Sequence, residues 1–180
     1  ITGIGGQESI YIRYQAANGV DGAEITTESW ETVPFNENAG VAPQSSTPPG
    51  PYSWFLDQDF TTYPELTLAP GTYDYQYKIC LFKTSVAAYI EVGARLFFSQ
   101  ALGGTYIEFS ESLSWVGEDT GDNFEIGMVG QFTVPDPAED RKLRLQIRTG
   151  TTQIDYGQAE PAFPVDQKEV YAYIKITKVS

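Results

Sequence analysis

Leu66-Thr-Leu-Ala-Pro-Gly-Thr-Tyr-Asp-Tyr-Gln-Tyr-Lys-Ile-Cys-Leu81 is the stretch on which the architecture of this chain turns. Pro70-Gly71 is a turn pair, and the residues after it alternate without a break. Tyr73, Tyr75, Tyr77, Ile79 and Leu81 fall on one face, and Thr72, Asp74, Gln76, Lys78 and Cys80 on the other. Successive side chains of an extended chain point to opposite faces, so this pattern predicts a half-buried antiparallel strand over 72–82, preceded by a short one over 66–68.

Working outward, the same period recurs. Residues 9–15 set Ile10, Ile12 and Tyr14 against Tyr11, Arg13 and Gln15. Further strands are predicted over 88–98, 105–116, 123–134, 141–148 and 169–179. In 123–134 the inward set is Phe124, Ile126, Met128, Phe132 and Val134, with Gly127 and Gly130 weakening the edge or permitting close approach of another backbone. Residues 23–36 read as one bent strand or two short ones, with Ile25, Trp30, Val33 and Phe35 as core candidates. The connections at 16–22 and 117–122 are turns rich in Gly, Asn and Asp. Two segments are long and irregular: 37–58, crowded with Pro, Ser and Gly, and 150–167. No segment shows a helical period. Strands joined by turns, with two long crossovers, predict an all-β jelly-roll sandwich of about 8–10 antiparallel strands.

The 180 residues suit one domain, 9–180, with 37–58 as an insertion. Residues 1–8, with Gly3, Gly5 and Gly6, read as a flexible lead-in from a preceding segment. Twelve Tyr, ten Phe and three Trp favour sheet over helix. A net charge of −13 argues against nucleic acid and anionic membranes, because both need clustered Lys and Arg. No stretch approaches the roughly 20 apolar residues of a membrane helix. The lone Cys80 allows no intrachain disulfide and reads as a poorly exposed thiol.

Chemistry is sparse. The chain has no His, which removes His-dependent triads and the usual His-containing zinc sites. Glu118, Asp119 and Asp122 lie close enough in sequence to share a Ca²⁺, but their spacing is not that of a calcium loop, and a solvated acidic turn accounts for them better. Asp57 and Asp59 would point the same way in a strand and could form a glycosidase pair, although their neighbourhood is loop-like. Tyr52, Trp54 and Phe55 clamp the long loop to the sandwich or form an exposed contact patch. The expectation is no catalytic residue, no metal and no cofactor.

Three stretches carry a resemblance. Tyr14-Gln-Ala-Ala-Asn18 through Gly22 to Trp30-Glu-Thr-Val-Pro-Phe-Asn36 is similar to a strand, a Gly turn and Trp-x-Thr-x-x-(Leu)-Asn. Leu66-Thr-Leu-Ala-Pro-Gly-Thr-Tyr73 is similar to Phe-Thr-Leu-x-x-Gly-Thr-Tyr, and Glu169-Val-Tyr-Ala-Tyr-Ile-Lys-Ile176 to a closing Glu-Val-Tyr-x-x-x-x-Ile strand. With these the chain resembles the trimeric jelly-roll heads of the tumour-necrosis-factor (TNF) and complement globular-head type, and more closely those that end fibres and spikes of tailed bacteriophages. It departs from the pattern at Ala23-Glu24, at Val33 and in an insertion over 43–55.

The resemblance implies a parallel homotrimer on the virion surface, joined to a preceding shaft or other virion proteins. Tyr171 and Tyr173, opposite the core face of the last strand, would line the trimer seam. The loops at 16–22, 83–87, 117–122 and 150–167 would lie at the far end and meet a host glycan or protein. Glu118, Asp119, Asp122, Asp155, Tyr156, Phe163 and Trp54 are the expected contacts. The alternatives are a capsid or fibre-cap decoration protein touching only virion proteins, a carbohydrate-binding or carbohydrate-active sandwich, and a secreted signalling ligand of the tumour-necrosis-factor kind.

Overall fold

Antiparallel strands build most of the described chain in the computed structural model, which describes residues 9–17, 19–25, 29–38, 55–56, 66–68, 71–83, 90–100, 106–116, 123–134, 141–150, 154–157 and 169–179. In chain order the strands are β1 (Ser9–Ala16), β2 (Glu31–Thr32), β3 (Glu37–Asn38), β4 (Phe55–Leu56), β5 (Leu66–Leu68) and β6 (Gly71–Lys83). They continue as β7 (Ile90–Gln100), β8 (Tyr106–Val116), β9 (Asn123–Val134), β10 (Arg141–Thr149), β11 (Ile154–Asp155) and β12 (Glu169–Lys178). One sheet runs β3-β1-β12-β6-β9, with β11 taking up the β6 edge beyond β12. The other runs β4-β5-β10-β7-β8, with β2 also on β10. From β5 to β12 the chain passes between the sheets repeatedly, which is jelly-roll connectivity.

The alternation expected in β6 holds residue by residue. Tyr73, Tyr75, Tyr77, Ile79 and Leu81 are all buried, whereas Asp74 and Gln76 are exposed. They meet Val92, Ala94 and Leu96 of β7 and Leu143, Leu145 and Ile147 of β10 in one core. The Tyr77 hydroxyl crosses the sandwich to donate to the Ala94 carbonyl at 3.2 Å, which satisfies a polar tip in an apolar layer. Gly130 occupies an inward position of β9, and the ring of Tyr75 fills the space its side chain would take. The backbone approach expected there is found at Gly127, beside the Tyr77 carbonyl, whereas at Gly130 the neighbour is a ring.

Among the described residues of 23–36 the structure is mostly irregular, with β2 and an isolated bridge from Glu24 to Asp155. The segment leaves the first sheet, crosses to β10, where Val33 donates to the Leu145 carbonyl at 2.9 Å, and returns to β1. Ile25, Val33 and Phe35 are buried as expected. Trp30 instead lies on the outside of the second sheet, where the Arg95 guanidinium carbon sits 3.8 Å from its ring and 3.3 Å from that of Phe97. The segment 37–58 was expected to be irregular throughout, yet its described ends form β3 and β4. A two-residue strand is too short to show a period, and its hydrogen-bond partners, β1 and β5, are supplied by the fold.

Asn36 closes this crossing. Its side-chain amide donates to the Gln15 carbonyl at 2.8 Å and accepts from the Gln15 N–H at 3.0 Å, while its own N–H reaches the Arg13 carbonyl at 3.0 Å. The amide imitates a strand partner where the β1–β12 register slips between Tyr14 and Gln15.

Both ends of the domain are defined by register. Ser9 pairs with Thr177, so β1 begins and β12 finishes at one end. At the other end Ala16 pairs with Glu169, Phe82 with Asn123, Lys83 with Ile154, Ile90 with Val116 and Val92 with Thr149. The strand ends flanking 17–25, 84–89, 117–122 and 150–168 therefore converge at the end away from Ser9.

Candidate interaction surfaces

At that far end residues 19–25 are clamped by two tyrosine hydroxyls, the Glu169 carboxylate and backbone bonds. The Gly19 N–H donates to the Glu169 carboxylate at 3.0 Å, and the Ala23 N–H to the Tyr14 hydroxyl at 2.9 Å. The Tyr171 hydroxyl lies 2.7 Å from the Val20 carbonyl and 2.5 Å from the Glu169 carboxylate, so two acceptors share one proton. Burial and the adjacent Glu169 push its pKa up. The Gly22 and Ile25 N–H groups donate to the carbonyls of Gly157 and Ile154, and Tyr156 N–H to that of Ala23. Gly157 has φ of 51°, and a Cβ there would overlap the Tyr171 ring, so this corner requires glycine twice over. The clamp presents Val20, 51% exposed, beside exposed Asp21 and Glu24. Half-buried Asp155 completes the acidic rim, and burial, then Glu24 and Asp21, raise its pKa.

Of the expected contact residues, Glu118, Asp119, Asp122, Phe163 and Trp54 lie outside the described residues, as do Asp57 and Asp59. Asp155 is at the far end. Tyr156 is a correction: it is 1% exposed, its ring stands edge-on to Tyr14 with centroids 5.2 Å apart, and it belongs to the core. The alternation of β11 turns Asp155 toward the rim and Tyr156 inward, a two-residue pattern hidden inside a loop-like stretch.

The second surface is the outer face of the β3-β1-β12-β6-β9 sheet. Tyr173 lies there, its ring 5.2 Å from that of Tyr11, its hydroxyl accepting from Gln76 Nε2 at 3.2 Å. Tyr171, expected beside it, is 4% exposed within its own chain. The register passes from Tyr14–Ala172 to Gln15–Val170, so Tyr171 is the extra residue of a bulge and turns under the 19–25 clamp. Farther across the face Lys78 pairs with Glu125 at 2.5 Å. The Cys80 Sγ lies 3.6 Å from the same carboxylate, and burial, then Glu125, push its pKa up to about 11. A thiol held protonated in this way is a poor nucleophile. A depression of about 230 Å³ lies among Tyr11, Lys78, Cys80, Glu125 and Tyr173, smaller than ordinary small-molecule sites. Among the described residues no group of three or more Cys, Asp or Glu is placed to hold a metal ion.

Sequence reasoning missed Asn36 and the Arg95 sandwich. The Asn at the end of Trp-x-Thr-x-x-Phe-Asn was the available signal for the first; nothing local pairs Arg95 with Trp30.

The fold is that of TNF-like jelly rolls. The solved structure of Eiger TNF from S. frugiperda aligns with 97% of this chain and 93% of its own length, with a TM-score of 0.56 and 13% sequence identity. At that identity the likeness concerns the fold alone. No family model matches the chain, and no curated protein matches it.

Proposed function

We propose that the chain is a non-enzymatic, trimeric structural head, of the kind that ends a phage fibre or spike, and that it binds a host-surface glycan or protein through its far end. The observation that carries this reading is the polarity of the sandwich. The start of β1 and the end of β12 share one end, suited to attachment, while the strand ends flanking four connections share the other. Loops held on a rigid scaffold are where recognition residues concentrate. The outer-face Tyr11–Tyr173 pair supports self-association, because aromatics with a polar tip are favoured at interfaces.

Light scattering after size exclusion, combined with binding of labelled protein to host cells, tests the reading. A mass near three chains and saturable binding support it. A folded monomer removes the trimer. A trimer found on virions but never on cells transfers the function to virion decoration. Release of reducing sugar from a polysaccharide panel would refute the non-enzymatic reading.

A further inference from the structure

The centre of the outer sheet face holds a square of two rings and two cations. Tyr11 stands opposite Lys175, and Arg13 opposite Tyr173, in the β1–β12 register. The residues alternate along their strands, so all four project to the same side. The rings pack diagonally, and the Arg13 guanidinium carbon lies 5.7 Å from the Tyr11 ring. Among the described side chains neither Arg13 nor Lys175 has a carboxylate partner, in contrast to Lys78, which has Glu125. Arg13 Nε is shielded from solvent with no hydrogen-bond acceptor. A guanidinium offers five donors in a planar fork that matches a carboxylate, and leaving a buried donor unmatched is unfavourable.

This square sits in a chain of net charge −13, whose copies repel one another. Self-association of such a chain is favoured where carboxylates of one copy meet cations of another. Arg13 and Lys175, arranged around an aromatic pair, supply them at the centre of the face, where interfaces are best shielded from water.

We propose that Arg13 and Lys175 receive carboxylates from a neighbouring copy of this chain, and that these pairs close the trimer interface around Tyr11 and Tyr173. The inference rests on the trimeric reading above and names the chemistry of its seam. Lys78 takes no part, being already neutralised by Glu125.

The test follows the dissociation midpoint of the full chain by light scattering over a dilution series, at low and high salt. The variants are Arg13→Ala, Arg13→Lys, Lys175→Ala and the control Arg148→Ala, an exposed cation on β10 in the other sheet. Far-UV circular dichroism checks that each is folded. The expected result is a wild-type trimer whose midpoint rises about tenfold or more for Arg13→Ala and for Lys175→Ala, with the effect shrinking at high salt and absent in the control. Arg13→Lys loses less than Arg13→Ala because the charge remains. A wild-type trimer with an unchanged midpoint in both alanine variants overturns the inference and leaves the trimer standing. A wild-type chain that stays monomeric overturns both, including the case in which the monomer binds an anionic polysaccharide through Arg13 and Lys175. Lys175→Ala, on an exposed side chain, keeps the test decisive if Arg13→Ala fails to fold.

Discussion

Replacing Asn36 by Ala removes two hydrogen bonds that no other described group can remake. The amide serves the N–H and the carbonyl of Gln15, a residue only 8% exposed, at 3.0 and 2.8 Å. A side-chain hydrogen bond contributes about 1 kcal/mol net, and a shielded backbone group left unmatched costs about 1–3 kcal/mol. Asn36 is itself exposed, so water replaces part of what is lost, and the lower end of the range applies. The expected destabilisation is therefore about 2 kcal/mol, a sizeable share of the roughly 5–15 kcal/mol of a typical domain. For a chain of this size that corresponds to a drop in Tm of about 4–8 °C. Asn36→Asp is the sharper variant. It keeps the shape and the acceptor but sets a carboxylate oxygen against the Gln15 carbonyl, so it should lose at least as much near neutral pH. Urea unfolding at matched protein concentration measures both, since self-association would add stability through mass action. A loss below about 0.5 kcal/mol for Asn36→Ala, the size of an ordinary surface substitution, would refute the view that the amide replaces a strand partner.

Three further outcomes are expected. Gly130→Ala should destabilise by about 1–3 kcal/mol, because its Cβ would lie 2.6 Å from the Tyr75 hydroxyl oxygen in a packed ring cluster; a strand glycine with open space above it would instead tolerate the change, so the sign of the effect in urea decides. Asp155 has a raised carboxyl pKa, so the folded state binds its proton more tightly than the unfolded state. Stability contributed by this group is therefore lost as pH rises from the ordinary carboxyl range through the folded pKa, and Asp155→Asn should raise Tm at neutral pH with a difference that fades on acidification. Cys80 should react slowly with a thiol reagent at pH 8 and faster toward pH 11, whereas rapid modification at neutral pH would contradict its half-buried, carboxylate-flanked setting.

The far end and the sheet face differ in what a variant there should report. Tyr171 and Tyr156 are packed within the chain, so their substitution tests the clamp and the core rather than partner binding. Asp21, Glu24 and Val20 are exposed on the clamp and are the described residues through which a partner at the far end would be felt.

Strand boundaries and faces were legible because alternation is a local property. Leu66–Leu68 and Asn123–Val134 appear as read, and the other long strands differ by two residues or fewer at each end. The inward and outward sets of β6 follow from a two-residue period that any extended chain must obey. Local alternation therefore sets the strands, their faces and the sandwich that buries them. Where that local rule is broken depends on long-range pairing. Tyr171 turns under the clamp because β12 carries one residue more than β1 at the slip near Tyr14, and the two strands lie more than 150 positions apart in the chain. Asn36 became a strand surrogate at the same slip, and Tyr156 was drawn inward by pairing of β11 with the end of β6. Each of these outcomes depends on which backbone lies alongside, and hydrogen-bond partners that far apart leave no trace in local alternation.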